Sequence, residues 1–467
     1  MATAPKAVRY RAVRTFKRAH KSPLIFLERL PLEILMKMLS YLDVSALYTL
    51  SHVNKLFYQL ANDNVLWEKI HKAEHRRKRN LKCDCTYELL QMMSRMELED
   101  PPENFWKLLH LNSLIKYDMK KLKSNLGILN RHTGLPSRTK QVLRNLRVTW
   151  ELTVSDKSGH KSTFEPSWCR FCETSVSLSW SGGGQLSDYK KISTLHLHGV
   201  RRIALNLPGL KTPGRRSLML KLDMQAVAES MQIIGRDKLV ELKLLQPGII
   251  IGVWRRFVSL QDQSSVAFVM FTLHFHRLVE RSTNENPLWY SSLEDPILKP
   301  ISDDVDPEHG LHGYQLHVAL NDTTCDIMSE NFSQLFCRRA DISDGLIRLS
   351  AISRSNPSQH SPLSGSVSLP WSCESLQGNV QNCCVLSVTL LDFCKGKFWC
   401  VGSAVSVQLQ ETPVCYDYDG EHFLILHQDS EGRVEIQLVT EQTRFVVVSL
   451  AVCVAVGKVN KHFGTSY

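Results

Sequence analysis

Cys169-Arg170-Phe171-Cys172 sets two thiols at the spacing of a metal knuckle, with Cys83-Asp84-Cys85 upstream. A structural zinc site takes four ligands, from two such pairs or from a cysteine pair and a histidine pair. No second Cys-x-x-Cys follows. His196/His198 and His274/His276 alternate along predicted strands, so each pair shares a face from which imidazoles can project. A lone thiol pair is a weak zinc pattern, and the histidines read as strand residues with ordinary partners, so no metal and no cofactor is expected. Nucleophilic chemistry needs a base beside the nucleophile and an oxyanion site. There is no Gly-x-Ser-x-Gly elbow and no cysteine motif with a recognisable histidine partner. Ser181-Gly182-Gly183-Gly184 lacks the Lys-Ser/Thr of a phosphate loop and reads as a hairpin turn. Asp303, Asp304 and Asp306 lack the spacing and closing glutamate of a calcium loop. The expectation is a protein that is not itself an enzyme.

The elements organising the chain lie near its amino end. From Leu27 to Ile70 the periodicity predicts a compact three-helix unit. Pro31 suits a first helical turn, where its missing N–H is not needed, and Glu33 there favours the helix dipole. Ile34, Leu35, Met38, Leu39 and Leu42 have the spacing of one helical face. Asp43 is a cap for a second helix bearing Val44, Leu47 and Leu50. Val53, Leu56, Phe57 and Leu60 form a third run, and Asn62 or Asp63 caps a last turn with Val65, Leu66 and Trp67. A unit this small has more apolar side chains than its own core can cover. Leu30, Pro31, Ile34, Leu35, Leu39, Leu42 and Leu47 are therefore candidates for a surface buried by another chain. An ordinary helical subdomain packed on the rest of the protein is the plainer alternative.

Leu30-Pro31, Glu33-Ile34-Leu35, Leu39-Ser40-Tyr41-Leu42-Asp43, Val53-Asn54-Lys55 and Leu66-Trp67 resemble the F-box, in order and at its spacings. Two positions depart from the family pattern: Asn54 stands where many members have Cys, and Phe57 where many have Trp. The resemblance implies docking to the S-phase-kinase-associated adaptor of a cullin–RING ubiquitin ligase complex. It also implies a substrate-recognition role in which the remaining chain holds a target protein for ubiquitination.

Composition bounds the rest. The 467 residues are ample for two or three domains. The net charge of +11 is local: residues 1–82 hold 17 Lys/Arg against 6 Asp/Glu, and the remainder is balanced. That weakens a nucleic-acid reading of the large domain. Thirteen cysteines, with no apolar signal-peptide core before Leu24, point to a reducing intracellular compartment, cytoplasmic or nuclear. No apolar run reaches the length of a membrane span.

The expected fold class is α+β: the three-helix F-box and a helical linker, then a large antiparallel β-sandwich or β-barrel. Residues 1–22 read as a basic flexible tail, 23–70 as the F-box, 71–146 as a stiff helical linker and 147–467 as the β domain. From Arg147 the period switches to two, beginning with Val148, Trp150, Leu152 and Val154, and a dozen or more such runs follow. A helix is predicted over Met224–Ile234, and Asp429-Ser430-Glu431-Gly432 is a turn. No repeat of propeller or leucine-rich type is present. The segments Leu293–Gly313 and Ser353–Ser368 are expected to be exposed loops and are the first candidates for a substrate surface. Two rivals remain at this point: a nucleic-acid or chromatin protein using the basic tail and Arg76–Arg79, and an enzyme with a pocket in the β domain.

Overall fold

The structure is a computed structural model. It describes residues 30–77, 103–123, 125–145, 148–181, 186, 188–202, 214–255, 265–278, 313–336, 341–373, 376–412, 417–442, 444–464 and 466. The basic tail, Cys83-Asp84-Cys85, the glycine run after Ser181, the acidic segment around Asp303 and the side chains of Arg76–Arg79 lie outside the described residues. The described residues up to Leu114 form one compact unit and those from Ile115 onward another. The division falls inside the helix Phe105–Lys123, so the predicted linker is shared between the two.

The first unit begins with helices Leu32–Leu39, Val44–Leu50, Lys55–Ala61 and Asn64–Arg77. The sequence caps them. Asp43 Oδ1 accepts from Ala46 N at 2.7 Å, Asn54 Oδ1 from Phe57 N at 2.8 Å, and Asp63 Oδ1 from Val65 N at 2.8 Å. The predicted last turn at Val65–Trp67 is thus the start of a full fourth helix. Leu35, Leu39, Leu47, Phe57, Leu60, Ala61 and Leu66 make the core. A second cluster joins Trp67 to Trp106 and Leu109 on the following helix. Trp67 donates its Nε1 proton to Ala61 O at 2.8 Å, and Trp106 N donates to Asn64 Oδ1 at 3.3 Å. Lys107 lies 5.8 Å from the ring centroids of both Tyr48 and Trp67, and burial pushes its pKa down.

The second unit is a stack of antiparallel sheets. A four-stranded sheet runs in the order Lys161–Phe164, Val148–Asp156, Ile192–Arg202, Gly214–Asp223. A six-stranded sheet runs Trp168–Phe171, Ser175–Ser181, Val266–His274, Ile249–Trp254, Val240–Gln246, Gln232–Arg236. A ten-stranded sheet runs from Asp326–Phe336 through Gly313–Asn321, Cys383–Asp392, Lys397–Gln410, His422–Gln428, Gly432–Glu441, Arg444–Ala455 and Leu346–Ile352 to Ile342–Ser343, with Ser361–Pro362 on Arg444–Ala455. Ser368–Cys373 and Leu376–Gln381 form a separate two-stranded sheet. The arrangement is sandwich-like, and among the described residues no sheet closes into a barrel.

The six-stranded sheet is enclosed on both faces. Val176, Leu178, Ile249, Ile251, Val269 and Phe271 pack with Leu152, Val154, Leu195 and Leu197 of the four-stranded sheet. Val240, Leu242, Ile250, Phe268 and Met270 pack with Leu369, Trp371 and Val380 of the two-stranded sheet and with Cys383 and Val385. Double enclosure is why Val266–Phe271 and Ile249–Val253 are unbroken apolar runs rather than alternating ones. Gly248, at φ +80, makes the tight turn into Ile249–Trp254, where a Cβ would stand 2.5 Å from Thr272 O. The third core lies within the ten-stranded sheet, among Leu316, Val318, Leu386, Val388, Ile425, Ile436, Leu450 and Val452.

Local departures from expectation have physical causes. Met224–Ile234 is one helical turn, Met224–Val227, capped by Asp223, followed by the strand Gln232–Arg236. Ile234 turns into the core and Ile233 pairs with Lys243, so sheet pairing overrides helical spacing. The segment Ser353–Ser368 is not wholly an exposed loop. Leu363 and Val367 are buried in the third core, and Ser353 N donates to Gln359 Oε1 at 3.0 Å. Asp429 makes the expected turn, accepting from Glu431 N and Gly432 N. Among the described residues no helix is long and apolar enough to cross a membrane.

Candidate functional site

In the helix Leu32–Leu39 six of eight residues are apolar, more than one buried stripe requires. Its N-terminus is set by Pro31 at φ −53, whose carbonyl accepts from Ile34 N at 3.1 Å and Leu35 N at 3.2 Å. The helix turns Leu35 and Leu39 inward, leaving them 3% and 4% exposed, and Leu47 is wholly buried. These three predicted contact residues are core residues of their own unit. They face inward because Phe57, Leu60 and Leu66 supply the surface they pack on. Leu30 is half-buried against the same core.

The other predicted residues lie on the surface. Pro31 is exposed, Ile34 is 49% exposed and Leu42 38%. Three neighbours that the sequence reading did not assign to the contact surface join them: Leu32 at 55%, Met38 at 46% and Tyr41 at 76%. Ile34 and Met38 are one helical turn apart, so their side chains adjoin. The result is an apolar ridge from Pro31 to Leu42 that the unit's own core leaves in solvent. Glu33, Lys37 and Asp43 are the charges beside it, and Lys37 Nζ sits 5.6 Å from the Tyr41 ring centroid.

The second unit carries a different feature, an open groove of about 840 Å³. One side is the edge strand Trp168–Phe171 with Arg144 from the end of the helix Thr139–Asn145; the other is the two-stranded sheet, through residues such as Ser372 and Asn379. Its frame is fixed by hydrogen bonds. Arg170 donates to Asp322 O at 2.7 Å, Cys325 O at 3.0 Å and Asp326 Oδ1 at 2.6 Å, and Thr323 Oγ1 donates to Pro370 O at 2.6 Å. Arg144 is exposed, with its guanidinium 5.4 Å from the Phe171 ring centroid. Sequence reading missed this groove because its walls come from four separate stretches, around 144, 170, 323 and 375.

The Cys-x-x-Cys pair falls here and does not form a knuckle. Cys169 is exposed within a strand, whereas Cys172 is buried at the turn that follows, its N–H donated to Ser175 O at 2.9 Å. Desolvation pushes the Cys169 thiol up to about 11 against an opposing pull from Arg144, so it is a thiol at neutral pH. Among the described residues no group of three or more His, Cys, Asp or Glu is placed to hold a metal ion.

The histidine pairs have structural surroundings. His274 Nε2 lies 3.0 Å from Thr389 Oγ1, and His276 Nε2 lies 2.7 Å from Thr133 O. Burial, with His276 and Arg277 close by, holds His274 well below its ordinary value. His196 and His198 stand over the face of the four-stranded sheet that carries Glu151 and Thr153; desolvation lowers both first, then Lys221, Lys161 and Arg216 for His196 and Arg216 with His196 for His198.

Comparison with known proteins addresses the ridge and the whole chain. A family profile described as F-box-like matches residues 27–73, the stretch containing the ridge. F-box only protein 15 of Macaca fascicularis is 34% identical over 451 residues, 94% of this chain and 100% of that protein. F-box only protein 15 of Homo sapiens is 34% identical over 451 residues, 95% of this chain and 86% of that protein. The protein of the same name from Mus musculus is 30% identical over 442 residues, 93% of this chain and 100% of that one.

Proposed function

The chain belongs to the F-box only protein 15 family, and from that premise we propose that it is the substrate-recognition subunit of a ubiquitin ligase of the S-phase-kinase-associated adaptor and cullin type. The observation that carries this reading is the exposed ridge of Pro31, Leu32, Ile34, Met38, Tyr41 and Leu42. Fully burying one such aliphatic side chain stabilises a complex by about 1.5–3 kcal/mol, and these half-exposed ones contribute about half of that each. The adaptor covers the ridge, while Leu35, Leu39 and Leu47 hold its shape from beneath. The protein makes and breaks no covalent bond. It acts by proximity, turning the encounter of an acceptor lysine with the ligase machinery into a local event.

The test is co-purification of the adaptor with the full chain carrying Ile34→Asp and Leu42→Asp. Placing two carboxylates in a dry interface abolishes capture, while the thermal unfolding profile stays as in the parent protein. Undiminished capture overturns the reading.

A further inference from the structure

The groove in the second unit has the chemistry of a peptide site. Trp168–Phe171 is the edge strand of its sheet, paired with Ser175–Ser181 alone. In an antiparallel pair the residues alternate between bonding inward to the neighbour and pointing outward. Cys172 N bonds to Ser175 O, so the alternation turns the backbone groups of Cys169 and Phe171 away from the neighbouring strand. Both residues line the groove. Across it, Ser372 and Asn379 occupy the sheet positions that alternate with core-facing Trp371 and Val380, and they present a hydroxyl and an amide. The groove is therefore built to hydrogen-bond a chain laid along it.

Its charge selects which chain. Among the described residues no Asp or Glu lines it, and two arginines do. Arg170 is held by Asp322 and Asp326. Arg144 stands over Phe171 with no carboxylate partner among the described residues.

We propose that this groove holds an extended acidic segment of the target protein, added as a strand along Trp168–Phe171 with an Asp or Glu carboxylate on Arg144. Strand addition of this kind takes affinity from main-chain bonds and specificity from alternate side chains. The assignment of the occupant to a target rests on the adaptor reading above.

The probe is a phage library of random dodecapeptides selected on the full chain, with and without the adaptor bound. Enriched peptides carry Asp or Glu at one fixed position. Arg144→Glu lowers their affinity by about ten-fold or more, the loss of one charge-assisted bond, and Arg144→Lys retains part of it, both with unchanged thermal unfolding. N-methylation of a selected peptide weakens binding at every second residue and spares those between. Absence of enrichment, enrichment of neutral or basic peptides, indifference to Arg144→Glu, or N-methylation acting at every position overturns the proposal. Peptide binding by the chain alone is read separately from adaptor capture, so failure of either reading is distinguishable from failure of the other.

Discussion

The helix Leu32–Leu39 and the strand Val266–His274 are both almost unbroken apolar runs, yet they meet opposite fates. In the strand every residue from Val266 to Phe271 is at most 5% exposed. In the helix only Leu35 and Leu39 are buried, and Leu32, Ile34 and Met38 stand about half in solvent. The strand has a packed layer on each face, whereas the helix has one thin layer, the few side chains of its own unit. An apolar run records how many faces a segment will finally cover, not whether its own chain supplies the cover. For the strand the second face is supplied within the unit; for the helix the ridge stays in solvent.

Truncation inside the strand tests the first half of that contrast and carries the largest expected effect. Phe271 is fully buried, with its ring centroid 5.6 Å from that of Trp180. Phe271→Ala should cost about 3–5 kcal/mol, read as a lowered urea midpoint for the second unit. A cost below about 1 kcal/mol would mean that the sheet is not enclosed as described.

A paired substitution on the helix separates its two sides. Leu35→Ala removes core and should cost about 2–5 kcal/mol of stability. Ile34→Ala should move stability by no more than about 0.5 kcal/mol but weaken adaptor binding by about five-fold, the loss of roughly 1 kcal/mol of burial. Calorimetric titration with the adaptor alongside thermal unfolding reads both. Equal effects of the two variants on stability would erase the distinction between the inward and outward faces.

The enclosed sheet also carries a pH signature. His274 is buried and its folded pKa is depressed, while in the unfolded chain it titrates near 6.5. The unfolded state therefore takes up the proton first as pH falls. The stability contribution is fully present above about pH 6.5 and is lost as pH drops from there toward the folded value. His427, lowered by burial, adds in the same direction. A single such group gives a slope of at most about 1.4 kcal/mol per pH unit. Urea midpoints for the second unit should fall between pH 7.5 and 5.5, with a shallower slope in His274→Asn. A flat profile would show that these imidazoles are not held neutral.

Much of this arrangement was legible in the residues. Asp43 announces its cap, and Val148, Trp150, Leu152 and Val154 announce a strand with an apolar face in the core. What the spacing did not separate is inward from outward on the first helix, because with six apolar residues in eight every face looks like a core face. Leu35 and Ile34 are neighbours with the same chemistry, and only the position of Phe57 and Leu60 decides between them. The groove was illegible for a different reason. The packing of separate sheets brings Trp168–Phe171, Thr323 and Asn379 together across more than two hundred residues, and none of the three carries a local signal. The Cys-x-x-Cys spacing was already a weak zinc pattern, and the fold sets Cys169 exposed on a strand and Cys172 buried at the turn beyond it.

The smallest expected effect bears on why the helical unit folds at all with so thin a core. Asn54 departs from the family pattern, standing where many members have Cys, a residue suited to packing. Its Oδ1 instead accepts from Phe57 N at 2.8 Å, capping the helix Lys55–Ala61. Replacing such a cap by alanine costs about 1 kcal/mol. In a unit with this little buried surface that is a large share of the margin, and it falls on the helix that positions Phe57 and Leu60 beneath Leu35. Asn54→Ala should lower the unfolding midpoint of the first unit and leave the second unit's transition in place, while Asn54→Asp, which keeps the acceptor, should restore it. Equal loss in both variants would return the role of this position to packing. A normal midpoint in Asn54→Ala would mean that the ridge is held up by the buried leucines alone.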